Sequence, residues 1–504
     1  MDFDKLQPLN SDYQLQRLAT GVTGFEHITR GGLIAGRTAL VAGTSGSGKT
    51  ILSCEIVHRS ITQFDRTAVF ITFEESPSDV IRNVISMGWD FEQYVRDEKL
   101  IILDASIDRE VVAAAGPYDL SGIIAQIEHA VKTIDAKVVV LDSIGALFHL
   151  HDNPGLVRRE IHRIADALRR LGVTGLLTAE RTGEYGSVSR FNIEEFVSDA
   201  VIILRHDLNQ ERVRRTIQIY KMRGADHYEN EFPFLITGEG LRIQALSESE
   251  LSHDSSTDRI SSGNATLDEM AGGGLFRDSI VLVSGPTGGG KTLMCATFAA
   301  EGCRNQQRTL LLGFEESRQQ LIRNAESWGI DFGKWEDQGL LKIQSRYPES
   351  LGPDGHLARI KELITEFEPT RLVIDSVSAM ERIADIRGFR EFVIGLTSFV
   401  KERQICALLT CTTPQLSGGE SITEAHISTI TDAIVLLRYI EVAGALSRGI
   451  LIIKMRGSQH QKDVREFRIS DSGLHIGDSF EGVPNVLMGI PSIGARSSMP
   501  QETS

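Results

Sequence analysis

Two short strings hold the most specific chemistry in the chain. One is Gly43, Thr44, Ser45, Gly46, Ser47, Gly48, Lys49, Thr50; the other is Gly285, Pro286, Thr287, Gly288, Gly289, Gly290, Lys291, Thr292. Both have the spacing G-x-x-x-x-G-K-T. Such a loop turns its backbone N–H groups inward to cradle phosphates, which needs backbone angles and a close approach that side chains forbid. Lys49 and Lys291 then reach the β- and γ-phosphates of ATP, and the hydroxyls of Thr50 and Thr292 ligate Mg²⁺. A helix starting at each lysine adds a favourable dipole for the anion. Two matches, each between an apolar run and a helical pattern, point to two ATP sites.

Carboxylates stand where such sites need them. Asp142 and Asp375 end the apolar runs VVVLD and LVID, where a carboxylate holds Mg²⁺ directly or through water. Standing alone, each also reads as an ordinary strand-end aspartate. Glu74, Glu75 and Glu315, Glu316 end the strands that follow the P-loop helices. Adjacent side chains point to opposite sides of a strand, so one of each pair can face the γ-phosphate and deprotonate an attacking hydroxyl. Glu74 and Glu315 are expected as bases or as part of the Mg²⁺ shell, with Glu75 and Glu316 supporting; an acidic edge facing water is the plain alternative.

The string KMRG, at 221–224 and 454–457, puts Lys221 and Arg223, and Lys454 and Arg456, on one face of a late strand. Arginine suits phosphate through its planar fork and lysine as a point charge. These pairs are expected to act in trans, on a neighbouring subunit's ATP, as arginine fingers do; charges that protect a sheet edge are the alternative. Before the apolar run at 433 the second half carries Thr423, Ser428 and Thr429, where the first half has FNIEEF. Hydroxyls near a nucleotide are candidate phosphoryl acceptors, although turns also favour them.

The elements that position these groups repeat. The P-loop, FEES, the strand-end Asp-Ser and KMRG all return in the same order in the second half, which marks a duplication. The spacing from FEES to Asp-Ser is longer in the first copy, so one loop there is longer. Apolar runs at 38–43, 68–73, 137–142, 175–179 and 200–204 read as strands, and 49–62, 79–88 and 157–171 as helices. The alternation predicts an α/β fold: two tandem parallel sheets with helices on both faces, the motif-bearing strand ends sharing one edge. Expected bounds are 1–245 for the first domain, 246–261 for a polar linker, 262–485 for the second domain and 486–504 for a disordered tail.

Composition narrows the class. At 504 residues the chain is too long for one core. Its formal net charge of −15 argues against nucleic acid as a partner, and no apolar run is long enough for a membrane span. Five cysteines without a C-x-x-C pair fit a reduced, cytoplasmic protein.

The doubled P-loops, FEES, KMRG, RRE at 158–160, EYG at 184–186, EEFVSD at 194–199 and HISTITD at 426–432 resemble the KaiC family, the circadian-clock ATPases and autokinases. The likeness covers about residues 15–480. It implies tandem RecA-like domains in a homohexamer with ATP between subunits. It further implies slow ATP hydrolysis in the first ring, autophosphorylation in the second, and a circadian or stress-timing role. The family's phosphorylated pair falls on Ser428 and Thr429, with a third hydroxyl at Thr423, and its catalytic glutamates fall on Glu74, Glu75, Glu315 and Glu316. Nucleotide contacts fall on Ser86, Lys221, Met222, Arg223 and His227 in the first copy. In the second they fall on Trp328, Arg448, Lys454, Met455, Arg456, Ser458 and His460. Residues 109–122 partly resemble the surface for a KaiB-like partner. Beyond about 480 the sequence departs from the family's KaiA-binding tail, which carries no expectation of a KaiA-like partner. A DNA motor of the RecA or DnaB kind and a non-enzymatic ATP-dependent scaffold are the competing readings.

Overall fold

The computed structural model describes residues 15–106, 120–148, 154–186, 197–209, 212–244, 255–413, 427, 429–442 and 445–480. The chain forms two compact units, Met1–Ala245 and Leu246–Ser504.

In the first unit a ribbon of β1 (Arg17–Leu18) and β2 (Leu33–Ile34) precedes the main sheet. The sheet comprises β3 (Thr38–Gly43), β4 (Ala68–Thr72), β5 (Leu100–Asp104), β6 (Val138–Asp142), β7 (Thr174–Glu180), β8 (Ala200–Asn209), β9 (Arg212–Met222), β10 (Glu231–Thr237) and β11 (Gly240–Ile243). Their order is β11-β10-β9-β8-β3-β7-β6-β4-β5. From β5 across to β8 every pair is parallel. Parallel strands are covered on both faces and therefore read as unbroken apolar runs. TALVAG in β3 and AVFIT in β4 are buried throughout.

Alternation along these strands sorts their side chains into two cores. Val41, Phe70, Val138 and Val140 pack with Leu52, Ile56 and Val57 of the helix Lys49–Phe64. Leu40, Val69, Ile71, Val139 and Leu141 pack on the other face. There they meet Ile127 of the helix Ser121–Ile134 and Ile161, Ile164 and Leu168 of the helix Pro154–Leu171. Burying one such side chain contributes roughly 1.5–3 kcal/mol, so the strand ends that carry chemistry rest on a stiff base.

The second unit repeats the plan. Its ribbon pairs β12 (Arg259–Ile260) with β13 (Leu275–Phe276), and the whole of β12 lies inside the stretch read as linker. The sheet comprises β14 (Ile280–Gly285), β15 (Thr309–Gly313), β16 (Leu341–Ser345), β17 (Arg371–Asp375), β18 (Cys406–Thr412), β19 (Ala433–Val442), β20 (Ala445–Met455), β21 (Arg465–Ser470) and β22 (Gly473–Ser479). Its order, β16-β15-β17-β18-β14-β19-β20-β21-β22, is that of the first sheet. The extra residues of the first copy fall between Asp104 and the helix at Ser121, against Ser345 and the helix at Pro353 in the second.

Two features depart from the parallel sheet that the sequence predicts. The last strands of each sheet, β8 to β11 and β19 to β22, form antiparallel meanders. Their connections are too short for a crossover helix, so each strand must fold straight back. One face of each meander meets solvent: Ile219 and Ile452 are buried while their neighbours Tyr220 and Ile453 are exposed. The second departure follows from the first. Because β9 and β20 run backwards, KMRG does not share the edge that bears the P-loops.

The two copies are not identical inside. Arg371 opens β17, fully buried, where the first copy has Val138 at the start of β6. Its guanidinium donates to Gln307 Oε1 (2.7 Å), Ser261 O (2.9 Å) and Phe298 O (3.2 Å) and lies over the Phe298 ring. Gly302 leaves room for it, since a Cβ there would sit 2.6 Å from Arg371 Cδ. All five cysteines are buried and none forms a disulfide. No helix among the described residues is long and apolar enough to cross a membrane.

Candidate functional site: two nucleotide clefts

Each cleft is built at the C-terminal ends of the parallel strands. β3 and β14 run into the P-loops, where Gly46, Gly48, Gly288 and Gly290 take positive φ angles of 76°, 102°, 74° and 100°. Gly48 and Gly290 are the N-caps of the helices Lys49–Phe64 and Lys291–Arg304, so the first free N–H groups of each helix face the loop. Lys49 Nζ donates to Gly43 O (3.0 Å) and Thr44 O (2.9 Å). Lys291 does the same to Gly285 O and Pro286 O, both at 2.9 Å. Burial lowers the pKa of both lysines. In the first cleft Glu180, Asp142, Glu74 and Glu184 oppose that shift, and in the second Asp375 opposes it most strongly, with Glu315 contributing.

The carboxylates converge on these lysines. Asp142 accepts from Thr178 Oγ1. Asp375 accepts from Thr410 Oγ1 (2.5 Å) through one oxygen and from Thr292 Oγ1 (2.7 Å) through the other. The P-loop threonine and the strand-end aspartate of the second copy are therefore in direct contact. The glutamate pairs are sorted in the same way in both copies. Glu75 accepts from Asn83 Nδ2 (3.0 Å) and Glu316 from Asn324 Nδ2 (2.9 Å), which ties each to the following helix. Burial raises the pKa of Glu316, and nearby Asp375 raises it further. The preceding residues, Glu74 and Glu315, are exposed and act on the lysines. Arg382 Nη1 stands 3.6 Å from Glu315 Oε1. In the first unit Ser45, Gly46, Lys49, Thr50, Glu74, Glu75, Asp142 and Glu180 line a cleft of about 260 Å³.

The oxygen donors fit Mg²⁺. Among the described residues no cluster of three or more His, Cys, Asp or Glu could hold a metal alone. Mg²⁺ bound with a nucleotide needs only one or two carboxylates beside the phosphates, and Thr292 with Asp375 supplies that set.

The KMRG residues lie at the other end of each sheet. Lys221 pairs with Val201, which pairs with Leu40 near the start of β3; Gly43 at the P-loop pairs with Leu204. Lys221 Nζ donates to Ser198 O (2.9 Å) and Arg223 N to Asp199 O (2.9 Å). In the second copy Lys454 Nζ donates to Thr431 O (2.7 Å) and Arg456 N to Asp432 O (2.8 Å). Met222 and Met455 are buried opposite Ala200 and Ala433. Most of the length of β3 separates this edge from the P-loop of the same unit, roughly 15–20 Å at 3.3 Å per residue.

The other residues read from the resemblance are scattered. Ser86 caps the end of the helix Pro77–Ile85. Trp328 is half-buried just past the helix Arg318–Glu326. His227 is half-buried in the turn after KMRG; Ser458 accepts from Arg259 Nη2 (2.7 Å), and His460 lies two residues on. Arg448 belongs to the P-loop edge instead, opposite Tyr439, whose hydroxyl a Cβ at Gly288 would approach within 3.0 Å. Thr423 and Ser428 lie outside the described residues. Thr429 is exposed, and its carbonyl accepts from Arg456 Nη2 (2.7 Å).

Some residues at the sites were not read from the sequence. Arg215 stands opposite His206 as Arg448 stands opposite Tyr439, at the same distance before KMRG, and the duplication could have found it. Glu184 accepts from Thr44 Oγ1 (2.5 Å) and from the backbone N of His206 (2.9 Å), closing over the first P-loop. Glu180 and the threonines Thr178 and Thr410 become visible only once the strand ends are aligned.

Two P-loops on duplicated mixed sheets, each backed by a strand-end aspartate and a glutamate pair, define a tandem RecA-like P-loop ATPase. The family model "ATPase: KaiC" matches residues 18–248 and again 260–481. The chain is 50% identical over 478 residues to circadian clock oscillator protein KaiC 1 of Synechocystis sp. (strain ATCC 27184 / PCC 6803 / Kazusa), covering 95% of this chain and 92% of that one. It is 50% identical over 490 residues to circadian clock protein KaiC3 of the same organism, covering 96% of each. With the KaiC of Prochlorococcus marinus (strain MIT 9313) it shares 48% over 482 residues, 96% of this chain and 97% of that one. The chain belongs to the KaiC family of ATPases.

Proposed function

We propose that the protein is a hexameric ATPase and serine/threonine autokinase with a timing role. The first copy hydrolyses ATP slowly, and the second transfers the γ-phosphate to Ser428 and Thr429. The observation that carries the kinase reading is the 2.7 Å bond from Arg456 Nη2 to Thr429 O. Arg456 lies at the edge remote from its own P-loop, so its fork serves a nucleotide held by another copy. Wherever Arg456 reaches a phosphate, the acceptor segment reaches it too. A ring in which each subunit completes its neighbour's cleft meets both requirements.

Within that ring Lys291 and the P-loop N–H groups hold the β- and γ-phosphates. Thr292 and Asp375 would hold Mg²⁺, which would supply positive charge to offset that of the phosphates. Glu315 accepts the proton of the acceptor hydroxyl while that oxygen bonds the γ-phosphorus and the bond to the β–γ bridging oxygen breaks. Arg456 stabilises the charge that spreads over the transferring group. Phosphate on either acceptor adds nearly two negative charges, on Thr429 close to Arg456, a change that can bias ring packing. A KaiB-like partner reading that state is proposed from the resemblance at 109–122, of which 109–119 lie outside the described residues.

Glu74→Gln tests the division of labour. Phosphate release should fall by about a hundredfold or more, the usual weight of a positioned base, while phosphate on Ser428 and Thr429 persists. Equal loss of both activities would refute separate roles.

A further inference from the structure

The two sheets share one strand order and differ at the residue that ends the strand beside each P-loop strand. In the first sheet Gly43 pairs with Glu180, the last residue of β7. In the second, Gly285 pairs with Thr412, the last residue of β18. The backbone around them is held alike: Arg181 N donates to Gly43 O (3.0 Å) and Thr413 N to Gly285 O (3.1 Å). Two residues earlier on the same strand face, Thr178 and Thr410 each touch the Mg²⁺-type aspartate. Glu180 and Thr412 therefore project one step beyond that aspartate, on the side of the P-loop. Glu180 lines the cleft with Thr50, Glu74 and Asp142, and among the carboxylates that oppose the burial of Lys49 it acts most strongly. A second difference accompanies the first. Thr412 N is held by Ser378 Oγ (2.9 Å), a residue the first copy replaces with Gly145.

We propose that Glu180 commits the first cleft to water as phosphoryl acceptor, and that Thr412 in its place leaves the second cleft open to a protein hydroxyl. The inference rests on the division of labour proposed above and names the residue that sets it. Glu180 accepts a hydrogen bond from the attacking water. The water oxygen bonds the γ-phosphorus as the bond to the β–γ bridging oxygen breaks. The water's proton passes to Glu74, and ADP leaves with the bonding pair. Thr412 is neutral and short. It offers no second carboxylate to fix a water, and it leaves space and less negative charge for an incoming serine or threonine.

The test uses the full chain carrying Lys291→Ala, so that phosphate release reports the first cleft alone. Glu180→Thr and Glu180→Gln are compared with this parent for phosphate release and for bound nucleotide per subunit. Both should lower turnover by on the order of ten- to a hundredfold, the cost of a misplaced reactant, with nucleotide occupancy unchanged. In the otherwise intact chain, Thr412→Glu should lower phosphate on Ser428 and Thr429 and raise phosphate release. Turnover unchanged in both Glu180 variants would overturn the inference, as would loss of bound nucleotide in both, which would mark a structural residue. A parent that releases no phosphate would instead overturn the hydrolase reading on which the inference rests.

Discussion

Arg456→Ala is expected to lower phosphate incorporation into Ser428 and Thr429 by at least about a thousandfold, the range of an arginine finger, with ATP still bound. The expectation follows from register. Arg456 lies next to Asp432, level with the start of β14, whereas the P-loop begins where β14 ends. Its side chain bridges Thr429 O (2.7 Å) and Asp432 Oδ1 (3.7 Å) instead of entering its own cleft. The trans geometry makes a sharper claim in mixed rings. Co-assembled Arg456→Ala subunits keep an intact cleft, and Lys291→Ala subunits keep an intact finger and acceptor. Phosphorylation should return in the mixture, and peptide mass spectrometry should find it on the Lys291→Ala subunits. Phosphate confined to the Arg456→Ala subunits would show a cleft acting on its own acceptor.

The second large effect concerns the base. Glu315→Gln should lower autophosphorylation by about 10²- to 10⁴-fold, and Glu316→Gln by much less. Both residues end the same apolar run, but their surroundings differ. Glu316 is half-buried and bonded to Asn324, whereas Glu315 is exposed and close enough to Lys291 to oppose its burial. In the first cleft Asn83 bonds Glu75 and Glu74 acts on Lys49, with both glutamates exposed. Rates of phosphate incorporation for the two variants, with nucleotide occupancy measured alongside, decide the assignment.

What could be read from the sequence was local. A P-loop is one turn between a strand and a helix, so its spacing is complete within eight residues. Asp142, Asp375 and the glutamate pairs end apolar runs, and a parallel sheet places those ends together. The side of the sheet that carries KMRG was not legible. It depends on β8 turning directly into β9 and β19 into β20, and a half-exposed return strand such as ALSRGILIIKM resembles any other apolar run. Glu180 was missed for a related reason: a single glutamate after TGLLTA acquires meaning only when β7 is paired with β3 and compared with β18. Arg371 shows the limit inside the core. Its burial depends on the space that Gly302 leaves and on acceptors from three separate segments, none of which is near it in sequence. The acceptor string was legible through the family resemblance, since Ser and Thr before a strand also suit a turn.

The central claim is that one chain carries a hydrolase and an autokinase in its two clefts. The most direct measurement is phosphosite mapping of the purified protein after incubation with ATP and Mg²⁺, with released phosphate counted in the same sample. Phosphate on Ser428 and Thr429 is expected together with continuing ATP hydrolysis. Hydrolysis without phosphate on either residue would contradict it and leave a plain ATPase ring.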